Sequence, residues 1–395
     1  MARRAPQASV TGQPRRGPFA RSRRRAGMKA VALALAALGL AGLAFIAFLL
    51  VDGLRAVYQR RREERRQRPL RLVVRSREEV GGELLRLTLA HPRRRPLPVF
   101  EAGQHLMMTA PAGRGGGAIR RAYSLAAWHP RPTWYELGIK REAQGAMSSW
   151  AWNALLPGAV VDVSPPRGDF VVADDELDLV LIAGGIGITP MRAMLHASLA
   201  RPRARRIVLL HAARHAGTLL YRGEFESLAS LNPHFSYLPI VSRPDGFWRG
   251  ERGRLDAHRV LAAVPTPQQA RFYLCAGQAL MEDLGGGLIA AGIDPARIHS
   301  EAFGAASAGG GHGQVITLED GRRVDTAGEP SLLATLEAHG CAPPSDCRAG
   351  SCGECRMRLD AGAVRWLMAP ACAVADGEIL PCICQPAGDL RLRAA

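Results

Sequence analysis

Three cysteines constrain this chain more than any other feature. Cys347, Cys352 and Cys355 stand in CRAGSCGEC at C-x4-C-x2-C spacing, with Cys382 and Cys384 downstream. Thiolates are good iron ligands, and Gly350 and Gly353 let the loop between them wrap a cluster with its N–H groups toward the sulfurs. A zinc knuckle would pair C-x2-C with a second such pair, which the sequence lacks. Cys382 and Cys384 are two apart and would share one face of a strand, so alternation does not choose a fourth ligand between them. Cys341 and Cys372 read as small apolar residues. Four of the eight cysteines at metal-ligand spacing speak for a reducing compartment.

The formal charge is +17 over 395 residues, and its placement removes a nucleic-acid reading. Residues 1–75 hold 18 Arg and Lys against Asp52, Glu63 and Glu64, a net of +15. The rest of the chain is almost neutral and shows no basic groove interleaved with aromatics. Residues 30–51, AVALALAALGLAGLAFIAFLLV, carry no charge. As a helix this run would measure about 33 Å, enough to cross a bilayer core, whereas a secretory signal core spans roughly 7 to 15 residues. One transmembrane anchor is expected over 28–51, behind a disordered basic tail (1–27) and ahead of a basic linker (52–69). Met28 directly precedes Lys29 and the run, and would make a compact start.

Beyond the linker, RLVVRSR, ELLRLTLA, QHLMMTA, AYSLAA, YELGIKR and VVDVSPP alternate like strands between Pro and Gly turns, which predicts a small antiparallel β-barrel over 70–173. From Leu177 the pattern changes. DLVLIAG, RIVLLHAAR, FSYLPIVSR, RFYLCAG and RIHSEAF alternate with helix-length segments, which predicts a doubly wound α/β domain over 174–305. A Gly-rich linker (306–313) leads to a last domain over 314–395.

Short motifs sit on this frame. Arg121, Tyr123 and Ser124 form RAYS in the barrel; a guanidinium pairs with phosphate and an aromatic face stacks on a flat ring. Gly145, Ala146, Met147, Ser148 and Ser149 open a helical segment whose N-terminus favours anionic oxygen. Gly184, Gly185, Ile186, Gly187, Thr189 and Pro190 follow an apolar strand, with Thr189 expected to cap a helix opened by Pro190. Arg214, Ser242 and Arg243 fall at strand ends, on the carboxyl edge where such a sheet binds ligands.

Taken together, residues 70–395 resemble the ferredoxin-NADP reductase superfamily with a plant-type ferredoxin domain fused at the C-terminus. The resemblance implies a flavin barrel, an NAD(P)-binding domain and a β-grasp 2Fe-2S domain. It implies that Arg121 reaches the flavin phosphates, Tyr123 packs on the isoalloxazine and Ser124 lies near flavin N5. Ala122, Leu137, Ile139 and Lys140 join the flavin set, and the turn at Gly145 to Ser149 suggests FAD over FMN. The G-G-x-G-x-x-P form at Gly184 to Pro190 implies nicotinamide nucleotide binding, and in NADPH-using relatives a Ser-Arg pair such as Ser242 and Arg243 grips the 2′-phosphate. YLCAGQALM is similar to a C-G-P segment whose Cys sits beside the nicotinamide, which implies that role for Cys275, with Ala276 and Gly277 in place of Gly-Pro. Glu301 and Phe303 match the last family element and are expected to close the nicotinamide side. ILPCICQPAGDLRL resembles the closing ferredoxin segment, and its Pro386 selects Cys382 as the fourth ligand beside Cys347, Cys352 and Cys355.

The implied activity is hydride transfer from NAD(P)H to FAD, then single electrons through the cluster to an acceptor such as a membrane oxygenase, hydroxylase or desaturase. An oxidase or simple flavin reductase would not need the cluster domain, and a non-catalytic redox sensor would not need the intact nicotinamide turn. NAD(P)H and cluster assembly both call for the catalytic domains to face the cytoplasm.

Overall fold

The computed structural model describes residue 52 and residues 68–394, apart from 112–118, 143–144, 203–204, 304–311 and positions 342, 351, 369 and 371. The expected tail, membrane span and most of both linkers lie outside the described residues. Among the described residues no helix is long and apolar enough to cross a membrane.

Alternation builds the first sheet. β1 (Leu70–Val80), β2 (Leu84–Ala90), β3 (His105–Ala110), β4 (Ile119–Ser124), β5 (Trp134–Lys140) and β6 (Val160–Val163) pair antiparallel in the order β4-β3-β6-β1-β2-β5. A bridge between Leu125 and Leu137 brings the two edges together, as a barrel requires. Leu85, Leu87 and Leu89 point inward with Leu72, Leu106 and Met108, while Arg86 and Thr88 face out. Helix α1 (Ala146–Ala154) adds Met147, Ala151 and Trp152 to the same core.

The second sheet is parallel throughout. β7 (Asp178–Gly184), β8 (Ile207–Ala213), β9 (Phe235–Val241), β10 (Glu251–Arg252), β11 (Ala270–Ala276) and β12 (Ile298–Ala302) take the order β10-β9-β8-β7-β11-β12. Its central strands are apolar on both faces because helices cover both. Leu179, Leu181 and Ala183 pack with residues of α2 (Ile188–Leu199) and α3 (Arg222–Leu231). Val180 and Ile182 pack the other way, with residues of α4 (Ala257–Ala263) and α5 (Gln278–Ala290). The chain winds outward from β7 to β10 and returns to β11 on the other side of β7, which opens a crevice at the carboxyl edge.

The last domain is a β-grasp. β13 (His312–Leu318), β14 (Arg323–Ala327), β15 (Met357–Ala361), β17 (Glu378–Ile379) and β19 (Leu390–Ala394) form a mixed sheet in which only β13 and β19 run parallel. β16 (Val364–Trp366) and β18 (Cys384–Pro386) make a small second sheet. α6 (Leu332–Ala338) starts at Ser331, whose hydroxyl accepts from the Ala334 N–H at 3.2 Å.

Candidate functional site

A cavity of about 1300 Å³ lies where the three domains meet. The barrel contributes Arg121, Ala122, Tyr123 and Ser124 from β4, Gly138 and Lys140 from β5, and Gly145, Ala146, Met147 and Ser148 from the start of α1. The parallel sheet adds Gly184, Gly185, Ile186, Thr189, Arg214, Ser242, Gly277, Glu301 and Phe303. Cys347, Arg348 and Ala349 of the cysteine loop reach the same space.

The barrel wall suits a phosphate-bearing ligand. Burial and the nearby Arg348 guanidinium push Arg121 below its ordinary value, and no carboxylate pairs with it among the described residues. A cation held under that penalty is suited to an anionic ligand. Gly145 caps α1 with an extended backbone, and a Cβ there would fall 2.5 Å from Ser148 Oγ. Ser148 is occupied in shaping this turn, donating to the Gly145 carbonyl at 3.0 Å, so the helix N–H groups are what the turn offers an anion.

Across the cavity three polar side chains meet. Ser124 Oγ donates to Glu301 Oε2 at 3.3 Å, and Glu301 Oε1 lies 3.6 Å from His105 Nδ1. His105 is 2% exposed, and among the described residues neither of its ring nitrogens has a hydrogen-bond partner. Cys275 stands opposite Glu301 in the β11–β12 ladder. Burial, and then the Glu301 charge, push its thiol well up, so it is a neutral packing group rather than a nucleophile.

Several expected placements change. Leu137 and Ile139 turn into the barrel core and are fully buried, because alternation along β5 gives the cavity Gly138 and Lys140 instead. Thr189 does not cap a helix opened by Pro190. A 3-10 turn at Gly185–Gly187 has already wound the chain, so α2 begins at Ile188, and the Thr189 hydroxyl donates back to the Ile186 carbonyl at 3.0 Å. Gly187 packs against β11, where a Cβ would fall 1.9 Å from the Cys275 carbonyl oxygen. Gly187, Pro190, Ser149, Arg243 and Cys275 do not line the cavity. Arg243 is exposed beside Ser242, its N–H donating to the Arg214 carbonyl at 2.8 Å.

Cys382 and Cys384 do not share a strand face. Cys382 sits in a 3-10 turn (Pro381–Ile383), and Cys384 begins β18 and packs in the sheet core. The cysteines gather in two pairs. Cys355 and Cys382 bring their sulfurs to 3.3 Å, while the Cys352 and Ala349 N–H groups donate to Cys347 Sγ at 3.4 Å and the Cys347 N–H donates to Cys352 Sγ at 3.5 Å. No disulfide joins the described cysteines, and among the described residues no three metal-binding side chains converge on one point. Two pairs of cysteine sulfurs, with loop N–H groups turned to sulfur, fit a two-iron cluster better than a single ion. Gly350 is needed in the loop: its φ is +71°, and a Cβ would fall 2.4 Å from Ile383.

Sequence reasoning missed His105, Arg254, Arg348 and Gln278, all of which line the cavity. His105 stands on the face of β3 opposite the core residues Leu106 and Met108, together with the polar Thr109, so strand alternation gave no signal for it.

Comparison with known proteins agrees with this arrangement. Residues 71–172 match the family described as "Oxidoreductase FAD-binding domain", residues 181–285 "Oxidoreductase NAD-binding domain" and residues 316–387 "2Fe-2S iron-sulfur cluster binding domain". The chain is 30% identical over 292 residues to "Phenoxybenzoate dioxygenase subunit beta" of Ectopseudomonas oleovorans, covering 71% of this chain and 82% of that one. It is 32% identical over 231 residues to the flavohemoprotein of Burkholderia sp. (strain TH2), and there the match spans 54% of the relative. The solved structure of phthalate dioxygenase reductase, described as modular for electron transfer from pyridine nucleotides to [2Fe-2S], superposes with a TM-score of 0.58 at 25% identity, covering 82% of this chain and 98% of that one. The chain therefore belongs to the ferredoxin-NADP reductase superfamily with a fused C-terminal 2Fe-2S ferredoxin domain, and is an NAD(P)H-dependent electron-transfer oxidoreductase using FAD and the cluster.

Proposed function

We propose that this chain is the reductase component of an oxygenase, hydroxylase or desaturase system, passing electrons from NAD(P)H to a separate acceptor. The observation that carries this reading is one cavity with three walls: the RAYS strand, the nicotinamide turn and the cysteine loop. NAD(P)H gives two electrons as hydride and the cluster carries one at a time; bound flavin supplies the conversion between them. Arg121 and the N-terminus of α1 hold its phosphates, and Tyr123 packs against its ring. Gly184 to Ile186 receive the nicotinamide nucleotide, with Phe303 closing that side. Arg214 and Ser242 offer a 2′-phosphate site. Glu301 Oε2 holds the Ser124 hydroxyl while its other oxygen faces His105, so this edge of the cavity can keep a proton out of bulk water. Cys347, Cys352, Cys355 and Cys382 hold the cluster. Relatives named for phenoxybenzoate and phthalate dioxygenases support an oxygenase as acceptor.

Residues 30–51 anchor the chain in a membrane, with the catalytic domains in the cytoplasm where NAD(P)H and reduced thiols are found. Purified full-length protein, given NAD(P)H and a panel of oxidised oxygenase and desaturase components, tests the whole reading. Cluster-dependent reduction of one class supports it, while NAD(P)H consumption with oxygen alone as acceptor overturns it.

A further inference from the structure

The cysteine loop meets the barrel through a buried carboxylate that the electron-transfer scheme does not use. Asp346, directly before Cys347, is 3% exposed. Its Oδ2 accepts from Arg167 Nη1 at 3.2 Å. Its Oδ1 lies 2.9 Å from Arg120 Nη1, a charge contact without the alignment of a hydrogen bond. Both cations belong to the barrel: Arg120 is on β4 beside Arg121, and Arg167 pairs its main chain with His105 on β3. The carboxylate thus comes from the cluster domain, one guanidinium from the cavity-lining strand β4 and the other from the segment after β6 that bridges to His105.

A carboxylate this buried is costly unless cations face it, and removing the cations would leave it uncompensated. The loop is therefore held where Cys347 and Ala349 line the same cavity as Tyr123 and Ser124. The arginine side chains keep 41% and 35% of their surface open to solvent, so water reaches the clasp from the barrel side.

We propose that Asp346, Arg120 and Arg167 form an interdomain clasp that positions the cluster loop against the flavin strand and sets the rate of flavin-to-cluster electron transfer. The inference rests on the reading that electrons take this route. Asp346 acts through the loop it holds and is a positioning residue. Electron tunnelling weakens exponentially with distance, so an unclasped loop slows that step and leaves the earlier hydride step alone. One electron leaves the reduced flavin and one enters the oxidised cluster, and the clasp residues neither gain nor lose any.

The test uses full-length holoprotein carrying Arg120→Gln with Arg167→Gln, a pair outside the cluster domain, alongside Asp346→Asn and the conservative Arg120→Lys with Arg167→Lys. Stopped-flow absorbance follows flavin reduction by NAD(P)H and cluster reduction separately, and small-angle X-ray scattering reports the radius of gyration. In the Gln pair and in Asp346→Asn, cluster reduction should slow by roughly tenfold or more, with flavin reduction unchanged and the radius of gyration larger. The Lys pair should recover most of both. Unchanged cluster reduction and scattering in the Gln pair would overturn the clasp, as would equal slowing of both steps. If Asp346→Asn loses iron, the barrel-side pair decides. If wild-type protein itself passes no electrons from flavin to cluster, the proposed route fails, and the scattering comparison still tests the clasp.

Discussion

His211 shows how strongly position acts on one residue. It is fully buried on β8, with Nε2 3.3 Å from the Gly185 carbonyl and Nδ1 3.3 Å from the Tyr237 hydroxyl. Burial pushes its imidazole down to about 4, against about 6.5 in an unfolded chain, with the Gly185 bond opposing in part. Between those values the unfolded chain binds a proton that the native chain does not. Stability therefore falls as pH drops from about 6.5 toward 4, by about 3 kcal/mol in all, and levels off below. In His211→Gln this part of the pH dependence should vanish; parallel denaturant-midpoint curves for variant and wild type would refute it. Arg121 carries a different prediction. Removing a charge-assisted phosphate contact costs roughly 1.5 to 3 kcal/mol, so Arg121→Ala should bind FAD about 10- to 100-fold more weakly. Fluorescence titration of the apoprotein measures this, and an unaltered Kd would rule out the phosphate role.

At the scale of elements, the nicotinamide turn and the cysteine loop depend on close backbone approach. In Gly187→Ala the new methyl would meet the Cys275 carbonyl oxygen, so the turn must lift away from β11. The expected result is a several-fold higher KM for NAD(P)H, with flavin content and the ultraviolet–visible cluster spectrum intact, since neither site shares that contact. A KM equal to wild type would mean that the turn relaxes without cost. The two cysteine pairs make a sharper prediction. Cys347→Ser, Cys352→Ser, Cys355→Ser and Cys382→Ser should each abolish the cluster while NAD(P)H still reduces the flavin, and Cys384→Ser should keep about two irons per chain. Iron loss in Cys384→Ser with retention in Cys382→Ser would reverse the assignment. The sequence showed these as strand neighbours, and only the turn at Pro381–Ile383 separates them.

For the whole molecule, residues 68–395 form one compact unit, so the three domains are held together as well as linked in sequence. Glu136 on β5 accepts from the Tyr221 hydroxyl at 2.6 Å and Arg192 at 3.4 Å, and Arg192 lies over the Tyr221 ring, which joins the barrel to the parallel sheet. The Gln278 side chain donates to the Leu367 carbonyl, which joins that sheet to the cluster domain. The proposed membrane anchor is tested at this scale. A protein lacking residues 1–52 should stay soluble and reduce artificial acceptors at the wild-type rate, yet serve a membrane-bound acceptor poorly once confinement to two dimensions is lost. Equal turnover of that acceptor by both forms would count against the anchor.

What the sequence determined by itself was whatever chemistry is written in consecutive residues. Alternating leucines built the barrel strands, apolar runs built the parallel sheet, and RAYS, GGIGITPM and C-x4-C-x2-C marked the three walls of the cavity, because strand period, turn geometry and ligand spacing are local properties. Tertiary structure alone decided which face each strand presents. It sent Leu137 and Ile139 into the core and Gly138 and Lys140 to the cavity, and moved the start of α2 ahead of Thr189. It also brought together residues far apart in the chain: His105 with Glu301, Cys355 with Cys382, and Asp346 with Arg120 and Arg167. Such contacts depend on how domains fold back on one another; of these only Cys355 with Cys382 was expected, from the resemblance of the closing segment to a ferredoxin, and the chain read in order carried no trace of the other two.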